Sequence, residues 1–175
     1  MKAQNFNLEK KEFSTLEICR SLKIPRERLR EWMVRGFIRP SIREAKGTGT
    51  RAIFSRGDVY GVSLFKRLIE GGLSRERAGE YVNVWLASYG NLTSVARMAA
   101  ARYIIFRRYL KKDGKTVIDI ERLGISSHMD WKINLDRGAT VYTNIGTTRE
   151  PDHNWDDVLI INFAKIIEDT DSALS

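Results

Sequence analysis

The chain has 175 residues, 42% of them apolar and 30% charged, with a formal net charge of +8. This length admits one ordinary core, or a small domain joined to a second one. No apolar run approaches the roughly 18 residues that span a bilayer, and we expect no secretory signal in the polar N-terminus. The single cysteine excludes an internal disulfide and a multi-cysteine metal site, so a cytoplasmic protein is expected.

The basic excess is concentrated in the first part of the chain. Residues 1–77 contain 18 basic and 9 acidic residues, whereas residues 78–175 contain 12 and 13. This asymmetry is typical of a nucleic-acid-binding domain attached to a second segment. A merely soluble basic face would give the same totals, so the placement of the basic residues has to distinguish the two interpretations.

A polar arm, residues 1–12, precedes a short predicted helix. Ser14 and Glu17 form a capping box, and Phe13 is placed as a hydrophobic staple on Ile18. The residues expected on the buried side of this helix are Leu16, Ile18, Cys19 and Leu22. Cys19 is therefore most simply a core residue and not a reactive thiol.

The second predicted helix carries most of the functional information. Pro25 fits its first position, where the missing N–H costs little, and Gly36 closes it as the C′ residue. The apolar residues that share one face at helical spacing are Leu29, Trp32 and Met33. The arginines left mostly on the other faces are Arg26, Arg28, Arg30 and Arg35. Two short helices joined by a tight turn, the second exposing guanidinium groups, form a helix-turn-helix suited to the DNA major groove.

A basic hairpin is predicted next in the chain. Residues 38–43 and 50–54 have the character of two short strands, and residues 46–49 (Lys-Gly-Thr-Gly) supply the turn. The residues near its tip are Arg43, Lys46, Thr48 and Arg51. The position directly after the helix-turn-helix favours a wing that contacts phosphates or the minor groove over an ordinary surface hairpin.

Two longer helices complete the basic segment. Asp58 is predicted as the N-cap of the third helix, in which Lys66 and Arg67 are expected to be solvated and which ends at residues 71–72 (Gly-Gly). Ser74 is predicted to cap a fourth helix that continues to about residue 89. The first turn of this helix contains Arg75 and Arg77, which oppose the helix dipole. They are predicted to face phosphates, with surface pairs to Glu76 and Glu80 as the alternative.

Three ordered motifs resemble those of the MerR-type transcriptional regulators. Leu29-Arg30-Glu31-Trp32 followed by Gly36-Phe37-Ile38-Arg39-Pro40 is similar to the family's Leu-Arg-aromatic-aromatic helix and its Gly-Leu-Ile-x-Pro continuation. Residues 51–59 resemble an Arg-x-Tyr-Ser-x-x-Asp segment with one extra residue, and residues 68–78 resemble the family's next helix junction. Together they cover roughly residues 13–82. Glu31 replaces the first aromatic residue, and the family's long dimerising helix is not evident.

This resemblance implies a homodimeric transcriptional regulator that binds near-palindromic duplex promoter or operator sites, with RNA polymerase as a further candidate partner. The residues it assigns to DNA are Arg26, Arg28, Arg30, Arg43, Lys46, Thr48, Arg51, Arg75 and Arg77. In the family, an arginine at the position of Arg30 also bridges elements of its own domain. We expect dimer contacts from residues 81–86, with Trp85 at their centre, and from the apolar hairpin 103–120. Neither an effector nor the operator sequence is identified.

The second half of the chain is less informative. We expect a winged helix-turn-helix domain over residues 13–89 and a small α+β domain over residues 90–175, an α+β fold overall. Strands are predicted at residues 102–110 and 116–120, joined by an Asp-Gly turn, and at residues 139–143. Residues 92–101 are consistent with a short helix, and the apolar run 158–167 with a buried strand or a helix.

Two alternatives to a regulator remain open. An architectural or recombination accessory protein would use the same fold to bend DNA without a promoter role. A metal-dependent enzyme would need His128 and His153 to combine with nearby carboxylates, but their spacing matches no established ligand motif. The expectation is therefore a protein that is not an enzyme, with no cofactor and no metal.

Overall fold

The computed structural model describes residues 12–45, 50–90, 95, 103–111, 113–123, 140–143 and 155–175. The elements in chain order are β1 (Glu12–Ser14), α1 (Thr15–Ser21), α2 (Arg26–Val34), β2 (Ile53–Ser55), α3 (Arg56–Glu70), α4 (Arg75–Tyr89), β3 (Tyr103–Leu110), β4 (Thr116–Leu123), β5 (Thr140–Thr143), β6 (Trp155–Asn162) and α5 (Phe163–Leu174). This mixture of helices and antiparallel strands confirms the predicted α+β class.

The capping box at the start of α1 is confirmed. The Ser14 backbone N–H donates to the Glu17 carboxylate at 2.8 Å, and the Glu17 N–H donates to Ser14 Oγ at 3.3 Å. Ile18 and Cys19 are buried, and burial raises the pKa of the Cys19 thiol, in agreement with a core role. The prediction for Leu16 is wrong because it lies about 200° around the helix from Ile18, and it is 50% exposed.

Helix α2 begins one residue later than predicted, with Pro25 as its N-cap. Its C-terminus has the predicted glycine. Gly36 has φ of +73°, a backbone conformation that is energetically unfavourable for any residue that has a Cβ atom. The Gly36 N–H donates to the Met33 carbonyl at 3.0 Å, and the Phe37 N–H donates to the Trp32 carbonyl at 2.9 Å. These two bonds form a Schellman motif, which ends the helix and turns the chain back into the core.

The segment predicted as a wing hairpin is only partly strand-like. Strand β2 forms its ladder with β1, so the last residue of the predicted arm, Glu12, already lies in a strand. Between the two arms of the predicted hairpin, the described residues form one isolated bridge, Arg43 with Ile53. Residues 38–42 form no strand because Pro40 lacks an N–H, and the Ser41 N–H donates to the Asp58 side chain at 2.9 Å.

The third helix starts earlier than predicted. Ser55 is the N-cap and Asp58 is the N3 residue of a second capping box, so the assignment of Asp58 as N-cap is wrong. Lys66 and Arg67 are also less solvated than predicted, since each is partly buried. Lys66 Nζ donates to the Leu22 carbonyl at 2.8 Å, which ties α3 to the end of α1.

Helices α3 and α4 approach closely at glycines. A Cβ on Gly57 would lie 1.9 Å from the Gly90 carbonyl oxygen, and a Cβ on Gly61 would lie 3.0 Å from Leu86. A Cβ on Gly79 of α4 would approach the Phe37 ring about as closely as the one on Gly61 approaches Leu86. Phe37 in turn stacks on Phe65 of α3. The small residues therefore set the distance between the two helices and the segment after α2.

The C-terminal part forms an antiparallel sheet with strand order β4-β3-β6-β5. The predicted hairpin is confirmed as β3 and β4, with Gly114 at φ +80° in its turn, and the predicted strand at residues 139–143 is confirmed as β5. The run 158–167, predicted as a strand or a helix, contains the end of strand β6 followed by the start of helix α5. Strand β6 ends at Asn162, whose side chain accepts from the Lys165 N–H at 3.0 Å and caps α5. The predicted helix over residues 92–101 lies outside the described residues, except for helical Val95.

One hydrophobic cluster joins the N-terminal helices to this sheet. Tyr81 packs edge-on against Phe106 at 5.1 Å between ring centroids, and Trp85 lies 5.1 Å from Phe163. Tyr81, Trp85 and Phe106 are completely buried within the chain. The sheet and α5 already cover these three side chains, so they are not available to the dimer interface predicted at residues 81–86 and the hairpin 103–120. The dimer itself stays a prediction.

Candidate nucleic-acid interface

The exposed side of α2 is the centre of the candidate interface. Leu29 and Trp32 are buried and attach the helix to the core, where the Trp32 ring meets Phe65 at 4.8 Å between ring centroids. The predicted arginines that the structure leaves exposed on this helix and at its C-cap are Arg26, Arg28, Arg30 and Arg35. Within the described part of the chain, the first three form no salt bridge. The apolar spacing thus presents guanidinium groups on a rigid helix.

The base of the predicted wing lies beside the start of α3. Arg43 and Arg51 are both exposed, and Arg43 Nε donates to the Arg51 carbonyl at 3.1 Å. They border an open depression of about 770 Å³ that is lined by residues 40–44 and 50–51. Lys46 and Thr48, predicted at the tip, lie outside the described residues. The structure therefore brings together two of the four predicted wing residues.

The Asp58 carboxylate holds the base of the predicted wing in place, a role that was not predicted from the sequence. Asp58 is 5% exposed, and its Oδ2 accepts from the Ser41 N–H at 2.9 Å, the Ser41 hydroxyl at 2.8 Å and the Ser55 N–H at 2.7 Å. The Ser-x-x-Asp spacing signals the capping box, but no sequence signal indicates Ser41, which lies 17 residues away. Asp58 therefore fixes the wing segment to the helix that follows it.

At the predicted second contact, the start of α4, Arg75 has an ion-pair partner that the sequence did not predict. Ser74 is confirmed as the N-cap. Arg75 pairs with Glu31 of α2, with 2.8 Å between Nη1 and Oε1, and not with Glu76 or Glu80. Glu80 instead lies 3.5 Å from Arg108 of the sheet. Arg77 is exposed in the first turn.

A buried polar cluster behind the interface was also missed. Arg56 is 6% exposed; it donates to the Tyr60 hydroxyl at 2.9 Å and to Asp171 Oδ1 at 2.7 Å, and Tyr60 donates to the same oxygen at 2.7 Å. Burial opposes the charge on Arg56, but the hydrogen bonds to Asp171 and Tyr60 outweigh it and raise the Arg56 pKa. Burial, followed by the bond to Asp171, raises the pKa of Tyr60 to about 12. Arg56 and Asp171 are 115 positions apart in sequence, so no local sequence pattern could predict their ion pair.

The metal alternative gains no support from the part of the chain that the structure describes. His128 and His153 both lie outside it. Among residues that it does describe, no group of three or more His, Cys, Asp or Glu side chains is arranged to hold a metal ion.

The tight pair of short helices, with its second helix buried by apolar residues and exposing arginines, defines a helix-turn-helix DNA-binding domain. Residues 13–84 match the sequence model of the MerR HTH family of regulatory proteins, and this N-terminal segment belongs to that family. The match supports a DNA-binding transcriptional regulator as the class of the protein. A search of curated proteins found no match to the chain. Across the described residues, no helix is long and apolar enough to cross a membrane.

Proposed function

We propose that this protein is a sequence-specific transcriptional regulator that binds duplex DNA as a cytoplasmic homodimer. The observation that carries the proposal is the exposed guanidinium face of α2 within a MerR-family helix-turn-helix segment. Arginine is the residue best suited to this task, because its planar fork donates two hydrogen bonds to guanine O6 and N7 in the major groove. Arg26, Arg28 and Arg30 are the candidates for this base contact.

The remaining basic residues serve to position the protein on the duplex. Arg43 and Arg51 at the wing base and Arg77 at the start of α4 are proposed to contact phosphates, as are Lys46 and Thr48 of the wing tip. Such contacts fix orientation and carry no direct sequence information. Arg75 forms an ion pair with Glu31, so its contact with phosphate requires that this ion pair be broken.

The dimer and the promoter role are proposals from family membership. Members of the family act as homodimers on near-palindromic promoter sites and engage RNA polymerase there. The two subunits of such a dimer place their α2 helices on half-sites about one helical turn, or a multiple of it, apart. Because Tyr81 and Trp85 are buried within one chain, the subunit contact is proposed to use other surfaces.

Selection from a pool of random duplexes at several salt concentrations tests this function. We expect enrichment of an inverted repeat, and an affinity whose logarithm falls steeply with the logarithm of salt concentration. Arg28→Ala should abolish the enrichment. Lys115→Ala is the matched control, because it removes the same charge from an exposed side chain in the β3–β4 turn.

The possible outcomes separate the alternatives. Enrichment that survives Arg28→Ala would exclude Arg28 as the essential base contact. Salt-dependent binding without enrichment would favour an architectural protein that bends DNA. The absence of binding at low salt would refute the DNA-binding function.

A further inference from the structure

Glu31 connects two arginines at the junction between α2 and α4. Its carboxylate Oε1 lies 2.8 Å from Arg75 Nη1 and 3.4 Å from Arg35 Nε. The pair with Arg35 spans one helical turn in the favourable order, with the acidic residue N-terminal to the basic one. The pair with Arg75 joins α2 to α4, through two residues that are 44 positions apart in sequence. One carboxylate thus engages two of the exposed guanidinium groups on the proposed DNA-binding side.

This arrangement stands out from the rest of the arginine-rich surface. Arg26, Arg28 and Arg30 on the same helix are exposed and form no salt bridge with another described residue. The side chains of Glu31, Arg35 and Arg75 are 37%, 55% and 43% exposed. The carboxylate is therefore accessible to the same ions and ligands as the arginines that it holds.

A carboxylate and a phosphodiester are alternative anions for a guanidinium group, since both accept its N–H donors in similar geometry. Ion pairs at exposed positions are weak, so a phosphate that approaches Arg75 or Arg35 is able to displace Glu31. The displaced carboxylate would then lie close to the phosphate and repel it. Each step makes phosphate binding at this junction weaker than it would be at a free pair of arginines.

We propose that the Glu31 carboxylate is an internal competitor of DNA phosphate, which occupies Arg35 and Arg75 in the free protein and lowers its sequence-independent affinity for duplex DNA. The inference rests on the proposed DNA-binding function and adds a phosphate site at the α2–α4 junction. It assigns a role to the position where this sequence departs from the aromatic residue of its family. The biological consequence is a regulator that is less readily retained by bulk DNA.

Glu31→Gln tests the competition, and Glu27→Gln is its matched control. Glu27 is an exposed carboxylate one turn earlier on α2 that forms no salt bridge within the described part of the chain. Both variants therefore change the net charge by the same amount, but only Glu31→Gln releases the two arginines. The binding of each full-length variant to one labelled duplex of random sequence is measured by fluorescence anisotropy across a salt series, and a thermal melt checks that each is folded.

We expect Glu31→Gln to bind the random duplex roughly 3- to 10-fold more tightly than Glu27→Gln at low salt. Its plot of log affinity against log salt should be steeper by about 0.9 for each arginine that gains a phosphate. Adding Arg75→Ala to Glu31→Gln should remove much of this gain, whereas Arg75→Ala alone should change the slope of the native protein little.

Equal affinities and slopes for Glu31→Gln and Glu27→Gln would overturn the inference, because the charge alone would then explain both. Weaker binding by Glu31→Gln would also overturn it and would show that Glu31 positions its arginines for DNA. In both cases the native protein still binds with a steep salt dependence, so the proposed function survives. A native protein that shows no salt-dependent binding would refute the proposed function, and this inference with it.

Discussion

Removal of the Asp171 carboxylate, which lies in helix α5, is expected to destabilise the protein strongly. Its Oδ1 accepts two hydrogen bonds at 2.7 Å, from Arg56 Nη2 and from the Tyr60 hydroxyl. The side chain of Arg56 is 6% exposed and that of Asp171 is 23% exposed. Asp171→Ala would therefore remove the carboxylate acceptor from a buried guanidinium group.

The magnitude follows from this burial. Removing one partner of a fully buried ion pair costs about 3–5 kcal/mol, because an uncompensated charge remains inside the protein. The partial exposure of Asp171 admits some water, so we expect the lower end of that range, about 3 kcal/mol. For a chain of this length, each kcal/mol lowers the melting temperature by about 2–4 °C. The expected decrease is roughly 6–12 °C.

Differential scanning calorimetry of Asp171→Ala and Asp169→Ala provides the comparison. Asp169 is two residues earlier on α5 and forms ion pairs with Arg67, at 3.4 Å, and with Lys165. These side chains are at least one-third exposed, so the pairs are expected to contribute no more than about 1 kcal/mol. If Asp171→Ala lowers the melting temperature no more than Asp169→Ala, the buried cluster does not stabilise the fold as argued.

Three further predictions concern the core. The fold raises the Tyr60 pKa to about 12 from about 10 in the unfolded chain, so the folded protein favours the neutral phenol. The resulting stabilisation is complete below pH 10. It declines by about 1.4 kcal/mol per pH unit from about pH 10 to 12. Chemical denaturation along this pH range should show a shallower decline for Tyr60→Phe, and identical slopes would contradict the assignment. Gly57→Ala should lower the free energy of unfolding by more than the roughly 1–3 kcal/mol of ordinary overpacking, because the new Cβ would meet the Gly90 carbonyl. Gly72→Ala has open space around its Cβ but a φ of +98°, and should cost about 1–2 kcal/mol. Equal losses of stability for the two variants in urea denaturation would refute the close approach at Gly57. Trp85→Ala should cost about 3–5 kcal/mol at every protein concentration, while a loss confined to dilute protein would instead indicate a subunit interface.

Local patterns predicted the helices well because their ends are determined by neighbouring residues. The Ser14 capping box, the Gly36 turn and the Ser74 cap each depend on atoms within a few positions in the chain. The exposure of the arginines on α2 followed from the spacing of Leu29 and Trp32 alone. These features are the ones on which the DNA-binding interpretation depends.

Long-range pairing was not predictable in the same way. The sequence predicted a strand at residues 50–54 but not that its ladder would form with β1. From the predicted partner segment 38–43 only Arg43 bridges to this strand, and the Ser41 N–H donates to Asp58 instead. The pairs Glu31–Arg75 and Arg56–Asp171 join residues that are 44 and 115 positions apart. The continuous apolar character of residues 158–167 gave no indication that a strand ends and a helix begins within them. Asn162, the N-cap of α5, was the one residue there that could have indicated the start of a helix.

The contact of Trp85 with Phe163 has a consequence for synthesis on the ribosome. Chains elongate at about 5–20 residues per second and begin to fold from the N-terminus, so α5 is made roughly 4–16 seconds after α4. For all of that interval Trp85 lacks Phe163, whereas Tyr81 lacks Phe106 only until β3 has been translated. The nascent helix-turn-helix therefore carries an uncovered aromatic surface, and Arg56 acquires Asp171 as a partner only when residue 171 is translated.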